Sequence, residues 1–146
     1  MGWTHYWQRD IELPVKPFAE AVADCRKIFN LLKVPIGDAE GKGEPMLTDD
    51  KIEFNGADGY GCEPFIINRI QQPRHGRTIV AERCKTEHLP YDLCVQCALI
   101  ILQHHLAVAI KVMSDGTDYD WDEAERMCVK HLGYGNNFCL GTASDS

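Results

Sequence analysis

The sequence predicts an α+β fold: one domain with a largely antiparallel sheet of about five strands and three helices. Two observations carry this. Strand and helix patterns follow one another as strand, helix, three strands, helix, strand, helix, without an internal repeat. One stretch, Leu93 to Leu102, has only Gln96 as a strongly polar residue, so a helix there is apolar on nearly every side and must be covered on more than one face. It is the central helix, expected near 90–105. Pro90 suits a first helical turn, Asp92 complements the positive end of the helix dipole, and His104-His105 closes the run.

Residues 2–8 alternate as a strand, with Trp3, His5 and Trp7 on one face and Thr4 and Tyr6 on the other. Pro14 and Pro17 introduce a helix over 15–33, in which Phe18, Val22, Cys25, Phe29 and Leu32 recur at helical spacing. Pro35 ends it by disfavouring the α region for Val34. Residues 37–45 hold three glycines and almost nothing apolar, a surface loop. Ile52 and Phe54 alternate with Lys51 and Glu53 in a half-buried strand, followed by a glycine-rich turn over 56–61. Residues 64–70 and 77–84 read as two strands of a hairpin, and 107–113 as the fifth strand, which the central helix can place parallel to its predecessor. Asp120, with Glu123 three residues on, marks the start of a last helix over 120–132 that Gly133 stops. Phe18, Phe54, Leu93, Ile101 and Ile110 are the expected core. Residues 1–140 make the domain and 141–146 a short flexible tail.

Gly2-Trp3-Thr4-His5-Tyr6-Trp7, Phe54-Asn55-Gly56, Cys62-Glu63-Pro64-Phe65, Cys84-Lys85-Thr86, Pro90-Tyr91-Asp92-Leu93 and Ser114-Asp115-Gly116 together resemble a family of small uncharacterised microbial and viral proteins. The resemblance spans most of the chain and implies no activity, substrate or catalytic residue. Function is therefore argued from the residues.

A formal net charge of −7 works against binding nucleic acid or an anionic membrane surface, since phosphate rewards neutralising cations. The central apolar run is shorter than the roughly 20 residues a membrane span needs. Seven cysteines, an odd number, follow a start with no charged and apolar leader, and four of them, Cys25, Cys94, Cys97 and Cys128, fall on apolar helix faces. These features indicate a reducing, cytoplasmic setting.

Against that acidic background, Arg69, Arg74, Arg77, Arg83 and Lys85 cluster on the expected hairpin with Glu82 as the single acid between 67 and 85. Arg77 and Arg83 share a strand face, and with Arg69 across the hairpin they can converge on a carboxylate or phosphate. A solvated hairpin paired with the acidic C-terminal third is the plain alternative. Trp3, His5 and Trp7 offer a stacking face for a planar ligand, unless the indoles pack beneath the first helix. The turn with Gly56, Gly59 and Gly61 lacks the Lys-Ser/Thr continuation of a P-loop and leads into a strand, a weak phosphate signal. Cys62 is the most exposed-looking thiol, a nucleophile if His5 or His88 lies beside it. Cys94 and Cys97 have Cys-x-x-Cys spacing but sit within an apolar helix, which favours buried thiols over zinc. Asp115, Asp118, Asp120 and Asp122 fail the calcium-loop pattern, because the glycine stands at the second position and no glutamate at the twelfth.

The expected function is a binding module for a small anionic, nucleotide-like ligand, for sequestration or sensing rather than turnover. Trp3, His5, Trp7, Arg69, Arg77, Arg83 and Lys85 form the expected site, with no cofactor and no metal. The alternatives are a small hydrolase or transferase built on Cys62, His5, His88 or Asp115, and an assembly protein without a ligand. A homo-oligomer is expected on the ground that the all-round apolar central helix leaves a patch uncovered.

Overall fold

The computed structural model describes residues 3–72 and 75–141. Gly2, Arg74 and the expected tail beyond Gly141 lie outside the described residues. The described residues form a small mixed α+β domain with three helices and seven strands in two antiparallel sheets. In the first sheet β1 (Thr4–Asp10) is the middle strand, antiparallel on one side to β6 (Ile79–Lys85) and on the other to β7 (Ile110–Ser114). The two outer strands therefore run parallel to each other, but with β1 between them rather than side by side. In the second sheet β4 (Lys51–Gly56) pairs with β2 (Ile36–Gly37), β3 (Met46–Thr48) and β5 (Phe65–Asn68).

Two sheets replace the one expected. β5 pairs with β4 and β6 with β1, so the segments at 64–70 and 77–84 are not a hairpin. Short cross-links between the segment after β1 and the end of β5 show where the chain changes sheet: Leu13 N–H donates to Arg69 O at 2.9 Å and Gln71 N–H to Ile11 O at 2.7 Å. The additional strands β2 and β3 are two and three residues long. Alternation cannot be read over so short a span, and they exist because β4 offers them a ladder.

Helix α1 (Val15–Leu32) follows Pro14 and ends on Lys33, whose left-handed backbone (φ 56°) lets its N–H close on Phe29 O ahead of Pro35. Helix α2 (Asp92–Leu106) ends in a tight 3₁₀ turn over Ala107–Ala109, so the fifth expected strand begins only at Ile110. Before α3 (Asp122–Leu132), a 3₁₀ turn over Asp118–Trp121 is capped by Thr117, and Asp120 is the acid that reaches back to Thr117 N–H. Asp120 is thus the third residue of that turn and not the cap of α3. Gly133 (φ 83°) closes α3 as expected.

Every residue from Cys94 to Leu102 is buried. Helix α2 packs against α1, α3 and β7, which supply its cover from within the chain. Gln96, 4% exposed, spends its amide on Asp120 O at 3.3 Å. The uncovered helix face on which the oligomer was expected does not exist. Phe18, Phe54, Ile101 and Ile110 are core, whereas Leu93, at the first turn, is only partly buried against it. The segment Asp92–Ala109, with a mean hydropathy of 1.4, is apolar enough to cross a membrane by composition, yet 61% of it is buried in the fold. A core helix satisfies the same criterion.

Candidate functional site

Because β1 is flanked on both sides, the alternation of its side chains is imposed on its neighbours through the register. His5, Trp7 and Arg9 face the helices and are 0%, 1% and 1% exposed. Opposite them stand Cys84, Glu82 and Val80 on β6, and Ser114, Val112 and Ile110 on β7. Three polar groups on the core side of one strand each need a partner, and each has one.

Glu82 serves two of them. Its Oε1 accepts the Trp7 indole N–H at 2.8 Å and faces Arg9 Nη1 at 3.4 Å, while Oε2 accepts Gln71 Nε2 at 2.9 Å. Arg9 completes its bonding on Asp10 O and Arg69 O. Burial lowers the Arg9 pKa and the neighbouring Glu82 opposes that shift.

His5 is the third. Its Nε2 lies 2.6 Å from Asp92 Oδ1, which also accepts the Thr86 hydroxyl at 2.5 Å, and its Nδ1 lies 2.8 Å from Ser114 Oγ. Gly116 N–H donates to the same Oγ at 2.9 Å. Burial alone would raise the Asp92 carboxyl, but its contact with His5 and the bond from the Thr86 hydroxyl outweigh it and hold Asp92 below its ordinary value. With Asp92 ionised, one proton per contact suffices: Nε2–H donates to Asp92, Ser114 O–H donates to Nδ1, and Gly116 N–H donates to Ser114. Trp3 and Trp121 set their rings edge-on to the imidazole, with centroids 5.9 and 4.9 Å away. Both indole N–H groups are buried without a hydrogen-bond partner.

The opposite face of the same sheet carries no helix. Two rows cross it, Arg83–Tyr6–Met113 and Ala81–Gln8–Lys111, with no acid among the six residues. Arg83 and Ala81 are exposed and the other four are half-buried. A groove of about 670 Å³ runs here, bordered by Tyr6, Gln8, Ala81 and Met113 on the sheet and by Thr117 and Leu140 along one wall. Leu140 N–H is held by Asp118 Oδ1 at 3.3 Å and Gly141 N–H by Val112 O at 2.8 Å, which fixes that wall against β7.

The expected site divides accordingly. Trp3, His5 and Trp7 do share a side of β1, but it is the core side: His5 and Trp7 are buried and unable to stack on a ligand, and Trp3 is itself stacked on His88 at 3.8 Å. Arg69 directly follows β5 and is occupied, donating from Nη1 to Leu13 O at 3.1 Å and lying 3.5 Å from Asp50. It does not converge with Arg77 and Arg83. Arg77 lies in the exposed approach to β6, bordering a separate shallow depression with Gln8, Thr78 and Ile79. Arg83 and Lys85 point from β6 to the helix-free face, where Lys85 approaches Glu87 at 3.9 Å. Tyr6, outside the expected site, shares that face and lines the groove.

The remaining candidates have structural partners. Neither histidine proposed for Cys62 touches it, since His5 is committed to Asp92 and Ser114 and His88 to Trp3. Asp115 accepts Thr4 N–H at 3.0 Å and pins the start of β1. The glycine-rich turn is a packing knot: a Cβ on Gly56 would stand 2.3 Å from Tyr60 O, and one on Gly61 2.2 Å from Asn55 Oδ1. Cys94 and Cys97 are buried on α2, where Cys97 Sγ faces Ala124 O. Among the described residues no group of three or more His, Cys, Asp or Glu side chains is placed to hold a metal ion.

Fold and geometry together define an α+β domain with a helix-free sheet face and, at the end of the same sheet, a part-buried network of Ser114, His5 and Asp92. No protein-family model, curated protein or solved structure matches the chain.

Proposed function

We propose that this chain is a binding module for a small anionic, planar ligand of nucleotide type, held on the helix-free face of β6–β1–β7. One observation carries the reading: the register pairs the exposed Arg83 with Tyr6, and Tyr6 and Met113 of the same row line a groove of about 670 Å³. That volume is within the usual range for small-molecule sites. Tyr6 offers a stacking surface and Arg83 the charge, with Lys85 two residues along the same strand face. Local positive charge on a chain of net −7 suits a small anion and disfavours a long polyanion. All seven cysteines are free thiols, in keeping with a reducing, cytoplasmic setting.

The test is a thermal-shift panel of mononucleotides and other phosphorylated metabolites, followed by calorimetric titration of any compound that raises Tm. Arg83→Ala should weaken binding by about one to two decades, the loss expected for one charge-assisted contact, and Tyr6→Ala by a similar factor. Tyr6→Phe keeps the ring and should bind as the parent does. A panel that leaves Tm unmoved, or alanine variants that bind as tightly as the parent, would refute the proposal.

A further inference from the structure

We propose that the outer edge of β6 takes up an acidic peptide in extended form, which adds a fourth strand to the sheet β6–β1–β7. The proposal does not rest on the ligand assigned to the groove. β6 ends the first sheet and pairs only with β1. Its register fixes where its backbone points: Ile11 N–H donates to Thr78 O and Thr86 N–H to Trp3 O, so the even-numbered residues of this stretch address β1. Ile79, Ala81, Arg83 and Lys85 therefore turn their N–H and C=O groups outward.

The chain closes this edge at the Lys85 end. The Glu63 side chain accepts Lys85 N–H at 2.9 Å, and Glu63 N–H donates to Lys85 O at 3.0 Å. Among the described residues no partner reaches the backbone groups of Ile79, Ala81 or Arg83. The opposite edge of the sheet is treated differently, because Gly141 N–H donates to Val112 O and lays its segment along β7. Ile79 is 52% exposed, and Arg77, Ala81 and Arg83 are exposed with it. A shallow depression of about 430 Å³, bordered by Gln8, Arg77, Ile79 and Ala81, gives an added strand room. An open edge of this length is a template for another strand.

Charge selects the occupant. Between Arg77 and Lys85 the single acid is Glu82, and it is turned inward to Trp7 and Arg9. The edge thus presents Arg77, Arg83 and Lys85 to an incoming strand. A second copy of β6 is a poor fit. Antiparallel pairing of two such edges about Ala81 sets Arg77 opposite Lys85 twice, pairing about Val80 sets Arg77 opposite Arg83, and like charges directly opposite weaken a ladder. Glutamates at alternate positions of a peptide stand on the helix-free face beside the same cations and reverse the sign.

The probe is a capped heptapeptide, Glu-Val-Glu-Val-Glu-Val-Glu, titrated into isotope-labelled protein and followed by amide spectra and hydrogen exchange. Exchange at Ile79, Ala81 and Arg83 should slow on saturation, while Val80 and Glu82, already bonded to β1, should change little. The same peptide with lysine in place of glutamate should not bind. Nor should the glutamate peptide N-methylated at its central residues, which keeps every charge and loses the donors. Arg83→Glu should weaken binding roughly tenfold. Ala81→Pro removes an N–H that β1 does not use, so it should keep the parent's circular dichroism and lose the peptide. Amides of β6 that do not respond at about 1 mM peptide overturn the proposal. So do an N-methylated or lysine peptide that binds as well as the parent peptide, and protection confined to residues outside β6. Shifts of the same amides with protein concentration alone would assign the edge to a second copy and equally overturn it. The groove reading is scored separately, by nucleotide titration of the Tyr6 variants.

Discussion

Glu82→Leu should be among the most destabilising single substitutions in the chain, because Glu82 answers three donors at once. The side chain of Arg9 is fully buried and that of Glu82 is 18% exposed. Removing the carboxylate strands a guanidinium in the core, together with the Trp7 and Gln71 donors. Breaking a buried ion pair from one side costs about 3–5 kcal/mol, since the surviving charge is left uncompensated. For a domain of this size each kcal/mol moves Tm by roughly 3 °C, so the fall should be on the order of 10–15 °C. Arg9→Met combined with Glu82→Leu removes the stranded charge and should recover a large part of that loss. Urea unfolding of parent, single and double variants at one pH measures all three. A single variant within about 1 kcal/mol of the parent, or a double variant less stable than the single, would show that the desolvation argument is wrong.

Two further outcomes follow from the titrating groups. Asp92 has a depressed folded-state pKa, so its contribution is complete above the ordinary carboxylate value of about 4 and is lost as pH falls through the folded value. In chemical denaturation, the stability gap between the parent and Asp92→Asn should accordingly be full at pH 7 and narrow below about pH 4, and a gap independent of pH contradicts the assignment. Brief iodoacetamide treatment of the native protein at pH 8 should modify the exposed Cys62 and Cys139 and spare the buried five, since burial pushes Cys94 up to about 12 and raises Cys25 and Cys84 as well. Early modification of Cys94 or Cys97, seen by peptide mass mapping, counts against the packing of α2.

The helices were legible because their signals are local. Pro14 and Pro35 bracket α1, Pro90 and the His pair bracket α2, and Gly133 stops α3, each through the backbone chemistry of one or two residues. Strand pairing is not local. Nothing in 64–70 or 77–84 says that β5 prefers β4, because both strands present apolar residues at alternate positions, and six intervening residues suit a hairpin loop well. The choice is made by β1, which takes β6 as a neighbour through seven paired positions. A similar limit applies to Asp120, where two overlapping caps, Thr117 with Asp120 and Asp120 with Glu123, are equally good on sequence grounds. The shorter 3₁₀ turn won the first of them.

The expected stacking face fails at β1, because His5 and Trp7 are buried. Its alternation is the expected one, with Trp3, His5 and Trp7 on one side and Thr4 and Tyr6 on the other, but the aromatic-rich side is the core side. Two indoles and an imidazole are large, largely apolar groups whose polar atoms can be satisfied individually, and burying them returns more than leaving them in water. Once Trp7 faces the helices, the register does the rest. Glu82 and Val112, directly opposite it, must also face inward, which makes the single acid of the basic segment the partner of Trp7 and Arg9 rather than a bystander. By the same parity Arg83 and Met113 must face outward with Tyr6, so two of the cluster's cations, Arg83 and Lys85, share with it the face that the helices leave open. Ser114, two positions beyond Val112 on β7, is carried inward by that alternation, and its hydroxyl lies 2.8 Å from the His5 ring.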